Sequence, residues 1–453
     1  MKKLYTIIHL FSALLILTGC ENELEVNPTD NLPGELAFTS ESNIAAILVG
    51  TYDEAGQVGT YGGRGIMLPD LLAATNQVFW RGTFIDPRQA FEKRILIDNF
   101  WVEGIWVNAY ETINQANLVI DNLETVTSSP EEKNRIEGEA KFLRALNYFD
   151  LVSTFGLPYE AGQSNTQLGV PLRIEGIIDY SQNLEITRSS VEEVYTQILI
   201  DANDAYLLLP ESNSFYADKY AAQALLAKVY LQQGNFVSAR DAANDVLVNS
   251  GHELTGSFSE LFSAVSDTDE DIFTFQVTSQ TGSQDLVNHH ASEIEGGRGG
   301  DITIEDGYLA SFDDPADERA NFTYINPANE RRLTNKYREQ FANIKIFRIG
   351  EMHLIRAEAN FVLGTTIGID PLVEINALRG RSGAAPLLAL TYELIFNERQ
   401  LELAFEGKLL NDIKRTKRNV GARPYNDNSL VFPIPQTEMD TNPSMVQNPG
   451  YGS

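Results

Sequence analysis

A sugar ring presents an apolar C–H face and a rim of hydroxyls. A side-chain set suited to it combines an exposed flat aromatic with carboxylates, amides and guanidinium groups. The stretch 70–81 holds such a set in Asp70, Asn76, Gln77, Trp80 and Arg81. Trp101 is a second aromatic candidate, and His289, Arg298, Tyr308 and Tyr324 are candidates for the opposite wall of a cleft. Each aromatic has a competing assignment to the core, and for Trp106 the core assignment is the expected one. The adjacent His289-His290 pair makes no metal site: neighbouring side chains diverge and no third ligand stands at a telling spacing, so the pair reads as solvated loop. Asp267, Asp269, Glu270 and Asp271 have the charge for a structural calcium but lack the Gly and terminal Glu of an EF-hand loop, so they read as surface and no cofactor is expected.

Catalytic constellations are harder to find. A glycosidase needs two carboxylates flanking one bond, and 63 acidic residues give no means of singling out a pair by counting. Gly-x-Ser-x-Gly, His-Glu-x-x-His and phosphate-loop patterns are absent. The expectation is a binding protein and not an enzyme. Two other readings stand beside it: a protein-interaction scaffold built on helical repeats, and a carboxylate-dependent glycan hydrolase.

The formal net charge of -29 argues against nucleic acid as a partner, because phosphate neutralisation needs an excess of Lys and Arg. The start of the chain is specific. Lys2 and Lys3, the apolar run Leu4 to Leu17 and then Thr18-Gly19-Cys20 have the order of a secretory signal peptide, too short for a permanent membrane span. The ending resembles a bacterial lipobox, which makes residues 1–19 the signal and Cys20, the one cysteine of the chain, the site of lipidation. Each buried methylene of an acyl chain contributes about 0.8 kcal/mol, so several chains on one residue anchor a protein durably to a bilayer. Residues 20–34 are polar and contain Pro28 and Pro33, as a flexible tether would.

The elements that must position the candidate side chains are mostly helical. Apolar residues recur at spacings of three and four over 38–53, 106–122, 131–154 and 189–209, the last with Ser189 and Glu192 as a capping pair. Over 221–248, Leu226-Ala227, Tyr230, Gly234, Phe236 and Ala239 fall at tetratricopeptide offsets, and Arg356-Ala357, Asn360 and Gly364 repeat the pattern more weakly. One such helix pair cannot bury both faces, so further pairs must stack on it. The segment 251–345 differs: Ile272 to Val277 alternates like a strand and Gly296-Gly297-Arg298-Gly299-Gly300 is a loop. Helices return at 347–363, 371–381 and 392–405. The expected class is mainly α, a tetratricopeptide-like scaffold with irregular, loop-rich insertions. The expected organisation is a helical domain over 35–453, divided into 35–250, a loop-rich 251–345 and 346–453.

Several segments in order resemble the SusD/RagB family of nutrient-uptake lipoproteins. They are Trp106 to Ile113 with Ala116-Asn117; Glu139 to Val152 with Phe155-Gly156; Arg188-Ser189-Ser190-Val191; and Asp314-Pro315-Ala316-Asp317-Glu318-Arg319. Further along come Arg356 to Ala359, Ile375 to Arg379 with Arg381-Ser382-Gly383, Glu398 to Leu403 with Glu406-Gly407, and Phe432-Pro433-Ile434-Pro435 with Gln447 to Tyr451. The resemblance implies a SusD-like fold and an outer-membrane lipoprotein held to the bilayer through Cys20 and facing the cell exterior. It also implies a partner TonB-dependent, SusC-like transporter and capture of oligosaccharides or sometimes peptides, with ligand contacts drawn partly from the early loop region. The chain departs from the family pattern after Glu406-Gly407, where Lys408-Leu409-Leu410-Asn411 leaves Asp412 without the expected neighbouring Arg, and it has little sequence between Ala161 and Val170.

Overall fold

The computed structural model describes residues 37–278 and 284–452; the signal segment, Cys20 and the tether lie outside them. The chain enters through α1 (Glu41–Ala55), capped by the Ser40 hydroxyl, which accepts from the Asn43 N–H. It continues through α2 (Arg64–Ala73), the three-residue strand β1 (Val78–Trp80) and α3 (Ile85–Glu92). Then come two long helices, α4 (Phe100–Asp121) and α5 (Pro130–Phe155). Helix α4 begins at Asn99, whose side chain accepts from the Trp101 and Val102 N–H groups, so the cap that starts it also holds the Trp101 backbone. Helix α5 has Pro at its first turn, where no N–H is needed, and it is buried on most of its circumference. It packs against α4 on one side and α6 (Val191–Leu208) on the other.

Helix α6 opens on a capping box made by Ser190 and Glu193, one residue later than the Ser189 and Glu192 pair the sequence suggests. The tetratricopeptide-like pair is α7 (Lys219–Gln232) and α8 (Phe236–Asn249), joined by a turn in which Gly234 sits at φ 70°, a conformation that favours glycine.

The following segment is loop-rich, with short elements set between the loops. It holds α9 (Phe258–Ser263), β2 (Asp271–Phe275), α10 (Asp285–His290), β3 (Ile302–Ile304), α11 (Asp306–Leu309), α12 (Glu318–Asn321), β4 (Thr323–Ile325), β5 (Arg332–Thr334) and β6 (Ile344–Arg348). The strands pair antiparallel as β1 with β3, β2 with β6 and β4 with β5. Strand β2 is buried on both faces, which its run of Ile272, Phe273 and Phe275 explains. His289 and His290 are not solvated loop: they end α10, both buried, with His289 facing Trp80 and Trp101 and His290 facing Tyr337 and Phe405. The chain closes with α13 (Ile349–Leu363), α14 (Pro371–Arg381), α15 (Tyr392–Glu402), α16 (Leu409–Arg415) and α17 (Gln436–Thr441). Helix α13 lies on α8, extending the stack of helix pairs. Among the described residues no helix is long and apolar enough to cross a membrane.

The C-terminal half is locked by buried ions. Arg348 reaches Glu402 at 2.7 Å, Glu406 at 2.9 Å and Glu270 at 3.0 Å. Arg319 holds Asp317 and Glu398, each at 2.6 Å, and Arg381 holds Glu270 and Glu402. Glu270 and Asp271 are therefore not surface groups: the first neutralises Arg348 and Arg381, and the second pairs with Lys345 at 2.6 Å. Asp412 does have arginine partners, Arg399 and Arg415 at 2.8 Å, supplied by α15 and by the next turn of its own helix. Burial pushes the carboxyl of Glu351 up, but Lys408, Arg399 and Lys228 more than offset it and leave the group at about 2.

Candidate functional site

The site is organised by the β1–β3 ribbon, where Val78 faces Ile304, Phe79 faces Thr303 and Trp80 faces Ile302. Strand side chains alternate between faces, so Trp80 turns into the protein and Phe79 turns out. Trp80 is 3% exposed, and its indole N–H donates to the Phe84 carbonyl at 3.2 Å. Its ring meets Trp101 edge-on at 6.2 Å, and His289 lies 5.6 Å from Trp80 and 5.0 Å from Trp101. The three rings form a buried layer. Asp301 fixes that layer through a 2.8 Å contact to His289 Nδ1, and Arg298 leans on the same carboxylate at 3.4 Å.

What this layer carries is exposed. Phe84, 39% exposed, sits 6.1 Å from Trp101 and 5.9 Å from His289, with the Arg298 guanidinium 4.6 Å over its ring. Phe100 is 62% exposed at the first residue of α4, and Arg64 lies between it and Trp101, paired with Asp285 at 3.3 Å. On the outer face of the ribbon, Phe79 is 40% exposed with Arg81 4.2 Å over its ring. Beside it opens a groove of 420 Å³ lined by polar side chains that include Arg81, Glu305, Asn329, Arg331 and Arg332. The glycine-rich turn 296–300 lies behind the groove residues Asn329 and Arg331: Gly300 has φ 76°, and a Cβ there would stand 2.1 Å from Leu333 Cδ2, so a side chain would shift either the turn or Leu333. Arg331 and Asn329 donate to the Gly300 and Gly299 carbonyls at 3.0 and 2.9 Å, pinning the turn.

Of the residues singled out from sequence, Trp80, Arg81, Trp101, His289 and Arg298 come together here. Trp80 and Trp101 are not exposed platforms, however: they are the floor beneath Phe84 and Phe100. Asp70 lies elsewhere. It is half-buried under the turn after α15, on a small cavity it shares with Gln77 and Tyr308, accepting from the Gly407 and Leu409 N–H groups at 2.8 and 3.1 Å, and desolvation raises its carboxyl to about 7. Tyr308 is also buried, against Phe312 and Phe405, and burial raises its phenol. Asn76 is exposed beside Gly307, two residues before β1. Tyr324 is a tie on β4: its hydroxyl accepts from the Ser292 N–H at 2.9 Å and Arg338 stacks on its ring. Phe79, Phe84, Phe100, Arg64, Arg331 and Arg332 were not singled out. The signal for Phe79 was available, because a strand that buries Trp80 must expose its neighbour. No group of three or more His, Cys, Asp or Glu among the described residues is arranged to hold a metal.

Residues 24–231 match a SusD-like family model described as starch-binding and associating with the outer membrane, and residues 306–428 match the SusD family model. SusD-like protein P2 of Formosa agariphila is 27% identical, with 97% of this chain and 98% of that one covered. Starch-binding protein SusD of Bacteroides thetaiotaomicron is 28% identical over 60% of this chain and 50% of its own. Among solved structures, a SusD superfamily protein of Bacteroides thetaiotaomicron superposes with a TM-score of 0.80 at 27% identity, covering 90% of this chain and all of that one. A SusD superfamily protein of Bacteroides vulgatus gives 0.81 at 22% identity, covering 91% of this chain and 100% of the other.

Proposed function

The chain belongs to the SusD/RagB family, and on that premise we propose that it is an outer-membrane glycan-binding protein whose contact surface is the aromatic and arginine rim around the β1–β3 ribbon. The observation that carries this reading is the pairing of exposed Phe79 and Phe84 with guanidinium groups 4.2 and 4.6 Å over their rings, Phe84 resting on the buried Trp101–His289 layer and Phe79 on Phe91. A flat apolar face beside forked donors matches the C–H face and hydroxyl rim of a sugar. The buried layer supplies stiffness, so few rotamers are lost when a ring docks.

The finer reading follows the family. Acylation at Cys20 tethers the protein to the outer face of the membrane, and bound oligosaccharide passes to a TonB-dependent transporter of SusC type. Asp301 is held by His289 and Arg298 and braces the aromatic layer, and the role proposed, following the family, is capture without cleavage.

The test is affinity electrophoresis followed by calorimetry against a polysaccharide panel. The double variant F79A/F84A should weaken binding about tenfold or more, since stacking partners of this kind contribute about 0.5–1.5 kcal/mol each beyond area burial. Unchanged affinity would remove the rim from the site. New reducing ends on incubation with a bound glycan would overturn the binding-only role, and absence of radiolabelled fatty acid on the wild-type chain in its host would overturn acylation.

A further inference from the structure

The rim has an unusual charge for this chain. Acidic residues outnumber basic ones 63 to 34 over the whole sequence, yet six arginines converge here: Arg64, Arg81, Arg88, Arg298, Arg331 and Arg332. Seven carboxylates stand against them, at positions 86, 285, 293, 301, 305, 306 and 330. The rim is thus close to charge balance, whereas the chain as a whole carries nearly two acidic residues for each basic one.

The guanidinium groups are also poorly committed. Arg88 donates to the Gly82 carbonyl at 2.8 Å and Arg331 to the Gly300 carbonyl at 3.0 Å, and neither has a carboxylate partner among the described residues. Arg64, Arg298 and Arg332 each meet one carboxylate at a single atom pair, 3.3, 3.4 and 3.5 Å apart. A guanidinium offers five donors in a fixed fork and is strongest when two parallel N–H groups meet one anion. Arg144, buried elsewhere in this chain, shows the saturated case: it holds Asp201 through two nitrogens at 2.6 and 2.8 Å. The rim arginines keep donors in reserve.

We propose that the ligand of this rim is an anionic glycan, one bearing carboxylate or sulfate groups that take up these spare donors while Phe79 and Phe84 receive the ring faces. The inference rests on the glycan-binding reading of the same surface. Carboxylate and sulfate share the chemistry of a compact anion with two or more acceptor oxygens, and the experiment separates them.

Calorimetry on the intact chain compares oligogalacturonate with its fully methyl-esterified form, and a sulfated carrageenan oligosaccharide with its desulfated form, alongside a neutral malto-oligosaccharide. At least one charged form should bind about tenfold or more tighter than its neutralised counterpart, and which one does so identifies the anion. That margin should shrink about tenfold between 0.05 and 0.5 M salt, as exposed charge pairs are screened. R331Q should narrow the charged-to-neutral ratio severalfold and R331K should keep most of it, which separates charge from the structural pin on Gly300. Equal binding of charged and neutralised forms, or a ratio that R331Q leaves intact, overturns the anionic assignment while glycan binding stands. Failure of every glycan to bind overturns the glycan reading and this inference with it.

Discussion

The same residue types, arginine and carboxylate, do opposite work in two regions of this molecule. In the C-terminal half, Arg348, Arg319, Arg381, Arg399 and Arg415 are buried and each fork meets two or three carboxylate groups. On the rim, Arg81, Arg298 and Arg332 stand in solvent with one long contact or one exposed partner. Removing an ion from water costs several kcal/mol, so burial is tolerated only where the partners are complete. Where no burial is required, incompleteness costs little and leaves donors for something else. Saturation marks the scaffold here, and spare capacity marks the surface proposed to meet a ligand.

The contrast breaks most visibly at Arg348. Arg348→Met leaves Glu270, Glu402 and Glu406 buried without their shared cation, and a loss of about 3–5 kcal/mol is expected in urea or guanidinium melts. A loss under 1 kcal/mol would mean the network is not the lock described. Trp80→Phe is the next largest. It deletes the indole N–H bond to the Phe84 carbonyl and opens space in the buried layer, for about 1–3 kcal/mol, measured the same way.

His290 sharpens the comparison from the floor of the insertion, where a titratable group is buried with no ion to balance it. Burial, aided by neighbouring His289, pushes its imidazole down to about 3. The unfolded chain takes up a proton near 6.5 and the folded one does not, so the stability from this group is complete above that value and is lost as pH falls toward 3. At pH 5 the loss is about 2 kcal/mol, at about 1.36 kcal/mol per pH unit. Asp70, raised to about 7, works in the reverse direction: its folded state holds a proton the unfolded state releases above about 4, so stability falls as pH rises from there to 7. Comparing His290→Phe with the parent at pH 7 and pH 5 cancels Asp70 and the other groups. The parent should lose about 2 kcal/mol more than the variant over that interval.

How far these regions were legible in sequence follows from the same physics. The helices over 106–122, 131–154 and 371–381 were readable from apolar residues recurring at helical spacing and, for the last two, from the Gly and Pro that bound them, and 371–381 is met to the residue by α14. The motif-like runs, Asp314 to Arg319, Glu398 to Leu403 and Glu406-Gly407, belong to the buried network, where each charged group must find partners from distant elements. Such constraints leave a strong local pattern. The burial of Glu270 and Asp271 was not readable, since an acidic cluster looks solvated until Arg348, Arg381 and Lys345 are brought to it. The rim was legible by half. Trp80, Arg81, Trp101, His289 and Arg298 converge, but which of them are floor and which are contact depends on the β1–β3 register and on the Asn99 cap, and neither is written in the candidate residues themselves. Asp70 and Tyr308 lie away from the rim and line a separate small cavity with Gln77, a placement that residue type alone does not give.

The smallest effect is the most discriminating. Arg81 pairs with Glu305 at 3.0 Å, with 42% and 32% of the two side chains exposed, and stacks on Phe79. Exposed pairs of this kind contribute about 0–1 kcal/mol, because water screens the charges and both side chains give up rotamer freedom to meet. Arg81→Gln should therefore change unfolding free energy by less than about 1 kcal/mol, several times less than Arg348→Met, while still weakening capture of a charged glycan. Both variants remove one guanidinium from an arginine and glutamate contact, so a ledger that counted contacts would rank them together. Desolvation ranks them far apart. An Arg81→Gln loss as large as that of Arg348→Met would show that the rim is held by its ions as the C-terminal half is, and the spare donors ascribed to it would have to be scaffold after all.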